Sequence, residues 1–148
     1  MKKTGRLAFA TLALLAGMPL AQARDSILNI PLEEVLALPE AKTKLDGSVK
    51  FYLKGQATPA VTRRMGSDVS NPKTNGFGKS DEFGCKWAIL TALINFQASA
   101  KREGANAVVD IVSYYKKNET QSPTTIECHA GALIIGAALK GDYAIIKD

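Results

Sequence analysis

A short glycine-rich loop stands directly before a predicted helix and contains the residue types of a phosphate-binding site. Residues 76–80 read Gly-Phe-Gly-Lys-Ser. A nucleotide-binding phosphate loop needs a further glycine five positions before the glycine of its Gly-Lys-Ser triplet, but Lys73 stands there. The preceding residues do not resemble a strand either. The loop is therefore not expected to be an ATP site.

A weaker anion site in the same loop remains open. Two glycines, a lysine and the free N–H groups of a helix start can hold an anion. Asp81 and Glu82 already bring negative charge to this helix start, so an ordinary capped loop is the alternative. The candidate anion-binding residues are Gly76, Gly78, Lys79 and Ser80.

The only histidine of the chain, His129, follows Glu127 by two positions. Alternate residues of a strand share a face, so both side chains can approach one metal ion, with Asp110 from the neighbouring strand as a third ligand. Such a site is weak, and a half-exposed histidine on a strand face is the alternative interpretation. Nothing marks a nucleophile beside the histidine, so we expect no catalytic residue and no cofactor.

Two cysteines, Cys85 and Cys128, are present. Residues 1–23 have the pattern of an export signal, and an even number of cysteines in an exported chain favours a disulfide bond. We therefore predict that these two cysteines are bonded to each other. The alternative is a redox-active thiol pair. The absence of a Cys-x-x-Cys pattern argues against it.

The sequence predicts a long helix over residues 81–103, around which the other predicted elements are arranged. Ser80 is a good N-cap, and Gly104 can adopt the left-handed conformation that ends a helix. The strand over 107–117 that follows is rich in Val, Ile and Tyr. The predicted buried stripe of the helix contains Cys85, Ile89, Ala92, Leu93, Phe96 and Ala100, spaced by three and four residues.

The residues before this helix give weaker patterns. Residues 24–45 predict a short extended entry and then an amphipathic helix that Pro39 breaks. Residues 49–53 predict a strand, with 60–69 as its hairpin partner. Residues 70–79 are rich in Asn, Pro, Gly and Lys, which predicts a loop.

After the predicted strand 107–117, the chain returns as an apolar segment over 125–139. Gly131 and Gly136 mark bulges or close contacts in it, and a last short strand follows near 143–146. Together these elements predict an α+β fold: a small, mainly antiparallel sheet with one long helix on one face, and a short broken helix near the N-terminus.

The N-terminal residues 1–23 have the pattern of a secretory signal peptide. A basic start is followed by an apolar stretch, 7–20, that is short for a membrane span, and then by Ala-Gln-Ala at 21–23. A short membrane anchor is the alternative. Met18 stands where a lipoprotein would have its lipidated cysteine. We therefore expect a periplasmic protein that begins at Arg24 and has no membrane anchor after cleavage.

Export changes the charge balance. The chain has 19 basic and 14 acidic residues, and three of the basic residues lie in the predicted signal peptide, which leaves a net charge of +2. This excess is too small to indicate a nucleic-acid partner. Residues 24–148 have the length of a single domain with one core.

Four stretches together resemble a family of small exported proteins of Gram-negative bacteria, whose members often have the label "excinuclease ATPase subunit". They are Asn-Gly-Phe-Gly-Lys-Ser-Asp at 75–81, Cys85 with Trp87, 104–118, and Glu-Cys-His-Ala-Gly-Ala at 127–132. The label implies ATP hydrolysis in DNA repair. This chain departs from it because it lacks the phosphate loop, is too short for such an ATPase, and has an export signal.

The piece Gly-Ala-Asn-Ala-Val-Val at 104–109 alone is also similar to the Rcs envelope-stress sensor lipoprotein and to small domains named for heavy-metal binding. This local resemblance implies a compact sheet with a helix on one face, and a sensing or binding role. We therefore expect a non-enzymatic periplasmic interaction or envelope-sensing module that uses a sheet edge or loop 70–79. The alternative is a protein that binds a small ligand, a metal or an anion.

Overall fold

The computed structural model describes residues 24–148; the predicted signal peptide lies outside them. The strands are β1 Asp25–Pro31, β2 Lys50–Leu53, β3 Val61–Ser70, β4 Lys73–Asn75, β5 Ala107–Ser113, β6 Thr125–Gly131, β7 Ile134–Gly136 and β8 Leu139–Ile146, and the helices are α1 Leu32–Leu36, α2 Pro39–Lys44 and α3 Asp81–Glu103. The α+β class is confirmed, but the strands form two four-stranded sheets rather than one. The first sheet has the order β1-β6-β7-β4 and the second the order β2-β5-β8-β3.

Helix α3 has the ends that the sequence predicts. The Ser80 hydroxyl accepts a hydrogen bond from the Phe83 N–H at 3.2 Å, which satisfies one of the unpaired donors of the first turn. Gly104 ends the helix at φ 77°, in the left-handed region that glycine adopts without steric cost. The predicted stripe is buried, and α3 contacts strands of both sheets. The helix is therefore the centre of the core.

The first sheet turns one face to α3 and the other away from it. Cys128 on β6 is bonded to Cys85 on α3, with the two Cα atoms 5.8 Å apart, so the predicted disulfide is present. Because side chains alternate along a strand, Glu127 and His129 point to the opposite face, which we call the outer face. On β7, Ile135 is fully buried and Ile134 is exposed, in the same alternation.

Two predictions about the second sheet are wrong. The segment 60–69 is not the hairpin partner of 49–53: β3 pairs antiparallel with β8, and β2 pairs parallel with β5. The last strand is not short, since β8 runs for eight residues between β5 and β3. Because β8 is largely buried along its length, it suits a position with a strand on each side. The mostly polar β3 suits the edge of the sheet.

Two further boundaries differ from the prediction. Loop 70–79 contains the short strand β4, which pairs with β7. The strand after α3 ends at Ser113 rather than at residue 117, because Tyr115–Lys117 form a turn in which Lys116 and Lys117 have positive φ. The broken N-terminal helix is present as α1 and α2, with Pro39 as the first residue of the second. Within residues 24–148, no helix has the length and apolar content that a bilayer crossing needs.

Candidate functional site

The outer face of the first sheet brings His129 between two carboxylates. Its Nε2 atom lies 2.6 Å from Glu127 Oε1, and its Nδ1 atom lies 3.2 Å from Asp25 Oδ1. The Tyr115 ring stacks on the imidazole, with ring centroids 3.4 Å apart and planes at 12°. The histidine is therefore only 8% exposed, which corrects the expectation of a half-exposed side chain.

Glu127 and His129 converge as predicted, but the third predicted ligand, Asp110, does not join them, and metal binding by Glu127 and His129 stays a prediction. Asp110 lies on β5 in the second sheet, at a bulge with φ 51°, and its carboxylate is 2.9 Å from Arg64. The second carboxylate beside the histidine is Asp25 rather than the predicted Asp110. Both ring nitrogens already face a carboxylate, and residues 24–148 contain no group of three or more His, Cys, Asp or Glu side chains that could hold a metal ion.

Asp25, Glu127 and His129 form a cluster whose hydrogen bonds hold the imidazole in place. A neutral imidazole donates through one nitrogen only, whereas a doubly protonated imidazole donates to both carboxylates.

Beside the cluster lies a depression of about 290 Å³. Its lining residues are Arg24, Asp25, Asn71, Lys73, Tyr115, His129, Gly131, Ile134 and Gly136.

The polar groups of the predicted anion-binding loop have partners within the fold. The Ser80 hydroxyl caps the helix, and the Lys79 ammonium donates to the Thr74 hydroxyl at 3.3 Å. Asp81 at the helix start is 2.7 Å from Arg24. Gly78 has a φ of 72°, so its conformation, rather than a ligand, accounts for a glycine there. Anion binding by Gly76, Gly78, Lys79 and Ser80 stays a prediction.

Three large apolar side chains are exposed together at one end of the first sheet. Phe77 is 78% exposed, Leu133 68% and Ile134 58%, and the three border one shallow depression with β4. The loop after β4 and the turn between β6 and β7 meet here, since the Gly76 N–H donates to the Leu133 carbonyl at 2.8 Å. We call Phe77, Leu133 and Ile134 the apolar tip.

The charge around the apolar tip is positive. Lys73 borders the same depression, and Lys79 is exposed two residues after Phe77. Neither lysine makes an ion pair with another residue of the described chain. Asp81 and Glu82, in the first turn of α3, each have a basic partner. The pairs are Arg24–Asp81 at 2.7 Å and Lys86–Glu82 at 2.6 Å.

The sequence contains a signal for the apolar tip, although no prediction was made from it. Phe77 is the only large apolar residue in the polar stretch 70–79, and Leu133 with Ile134 follows the predicted glycine bulge at 131. A large apolar side chain in a turn has no strand or helix to bury it. The meeting of the two loops, however, depends on the pairing of β4 with β7.

A comparison with known protein families, with curated proteins and with solved structures finds no match to this chain.

Proposed function

We propose that the chain is a non-enzymatic interaction module of the periplasm, and that its contact surface is the apolar tip with the adjoining edge strand β4. The observation that supports this most is the clustering of Phe77, Leu133 and Ile134, each more than half exposed, around one depression. Single exposed apolar residues are common on protein surfaces, whereas a contiguous group marks a contact site.

The edge strand adds a second means of contact. β4 is the last strand of its sheet, and no strand within residues 24–148 pairs with its outer edge. The unpaired N–H and C=O groups of an edge strand can bind another chain. With only three residues, Lys73–Asn75, β4 offers few such groups, so the apolar tip is the main part of the proposed surface.

The disulfide bond supports the proposed periplasmic location. A buried Cys85–Cys128 bond joins α3 to β6, and such bonds persist in oxidising compartments outside the cytoplasm. The periplasm is the compartment that the signal-peptide pattern of residues 1–23 favours. The resemblance to small exported proteins of Gram-negative bacteria agrees with this proposal. The sensing role remains an expectation of the local resemblance at 104–109.

Site-specific photo-crosslinking tests the proposed surface. A photoreactive amino acid replaces Phe77 in one variant and Ile27 in a matched control, because Ile27 is 59% exposed on β1 at the opposite edge of the same sheet. We expect light-dependent adducts in the envelope from position 77 and few from position 27. Equal crosslinking from both positions, or none from position 77, would contradict the proposal.

A second candidate function is the binding of a small ligand in the depression beside His129. The observation that favours it is the group of an arginine, a lysine, a carboxylate and a stacked aromatic pair around about 290 Å³. Calorimetric titration with zinc, copper and phosphate tests it, and for phosphate Lys73→Gln is the variant and Lys44→Gln the control. Heat of phosphate binding that Lys73→Gln removes would support it, and no heat from any of the three would refute it for these ligands.

A further inference from the structure

We propose that the partner of the apolar tip is the surface of an anionic lipid bilayer, into which Phe77, Leu133 and Ile134 insert while Lys73 and Lys79 contact the headgroups. This inference rests on the proposed function and assigns the partner of the same surface. It follows from the area of the tip, from its hydrogen bonds and from its charge.

The area of the tip is small for a protein partner. A stable protein interface buries about 800 Å² on each side. Three exposed side chains present a few hundred Å² at most, since even a large aromatic residue buries about 150–250 Å². A lipid surface needs no matching shape, because apolar side chains enter the boundary between headgroups and acyl chains to a depth of about 5–10 Å.

Three N–H groups in the loop of the tip donate hydrogen bonds within the protein. The Phe77 N–H donates to Asn75 Oδ1 at 2.8 Å, the Gly76 N–H donates to the Leu133 carbonyl at 2.8 Å, and the Lys79 N–H donates to the Gly76 carbonyl at 3.3 Å. An unpaired backbone group is costly in lipid because no water can satisfy it. These three bonds lower that cost for the loop.

The charge of the tip selects an anionic surface. Lys73 and Lys79 make no ion pair within the described chain, whereas Asp81 and Glu82 are neutralised by basic partners. A lysine close to an anionic membrane strengthens binding about fivefold. Because exposed charges are screened by salt, the preference for anionic lipid weakens as the ionic strength rises.

Vesicle co-sedimentation tests the inference. The protein is residues 24–148, which contain both sheets, all the described helices and the disulfide. The vesicles are phosphatidylcholine alone, or phosphatidylcholine with phosphatidylglycerol. We expect binding to the anionic vesicles to be at least tenfold stronger than to the neutral ones at low salt, and the difference to shrink at high salt.

Matched variants locate the contact. Phe77→Ser with Leu133→Ser is expected to weaken binding to anionic vesicles at least tenfold, because two inserting side chains are lost. Ile27→Ser, which changes an exposed apolar residue on the opposite edge strand of the same sheet, is the control and is expected to change binding less than twofold. Lys73→Gln is expected to weaken binding about fivefold, and Lys44→Gln on α2 is its control. Circular dichroism checks that each variant is folded.

Three results overturn the inference: equal binding to both kinds of vesicle, no binding to either, or equal losses in tip and control variants. The crosslinking experiment separates this failure from that of the proposed function. If position 77 crosslinks to proteins but the protein does not bind vesicles, the contact surface stands and its partner is a protein rather than a lipid bilayer. The absence of both would reject the surface itself.

Discussion

Removal of the disulfide is expected to destabilise the fold strongly without changing its architecture. Cys85 and Cys128 are both fully buried, so alanine, which is small and apolar, is the suitable replacement at both positions. The bond joins the first turns of α3 to β6. It is therefore the covalent link between the central helix and the sheet that supports the apolar tip.

The magnitude follows from the loop that the bond closes. The two cysteines are 43 residues apart, and restricting the unfolded chain over that distance stabilises the folded state by about 4 kcal/mol in the chain-entropy model. A domain of this kind has a total stability of about 5–15 kcal/mol. The double variant should thus remain folded at room temperature but melt roughly 10–20 °C lower.

Thermal unfolding followed by circular dichroism measures this difference, with the oxidised wild-type protein as reference. The wild-type protein in a strong reductant is expected to approach the melting temperature of the double variant. A variant that melts within 2–3 °C of the wild type, below the shift that ~1 kcal/mol gives, would refute the reasoning. Complete thiol labelling of the native, unreduced protein would refute the bond itself.

Three further predictions concern single side chains. Gly84→Ala should destabilise by about 1–3 kcal/mol in urea despite the better helix propensity of alanine, because the added methyl group overlaps the buried Ile135 Cδ1; a gain in stability would contradict this. The protein should not hydrolyse ATP, and turnover that Lys79→Ala abolishes would show a nucleotide site. Burial, and after it the hydrogen bond to Asp68, raises the pKa of Tyr143 to about 12. The folded protein therefore favours the neutral phenol, which stabilises the fold fully below pH ~10, the pKa of a tyrosine in the unfolded chain. This stabilisation is lost as the pH rises towards 12. Tyr143→Phe should therefore show a smaller loss of stability than the wild type across that range, and an unchanged loss would contradict the assignment.

Local signals in the sequence were enough for the central helix and the disulfide. A cap at Ser80 and a left-handed glycine at 104 depend on neighbouring residues only, and both ends of α3 lie where they predict. The pairing of Cys85 with Cys128 needed only the predicted export and the count of two cysteines. Such features can be predicted because few alternatives compete with each of them.

Strand pairing could not be predicted in the same way, because it is decided by residues far apart in the chain. The sequence between 49 and 69 fits a hairpin, but β8 offers a longer, more buried partner to β3. The same limit applies to the site. Asp25 reaches His129 only because β1 pairs with β6 in a register that places Ile27 opposite His129. Asp110 misses the histidine because β5 joins the other sheet.

The fluorescence of a tryptophan placed at the tip tests the contact surface most directly. Phe77→Trp in a Trp87→Phe background leaves one tryptophan, since the chain has a single natural one. Envelope membranes from a Gram-negative host supply both lipids and proteins as partners. We predict that titration with these membranes shifts the emission to the blue, because the exposed ring at position 77 leaves water. Emission that stays at the wavelength of an exposed tryptophan at saturating membrane would contradict a contact through the apolar tip.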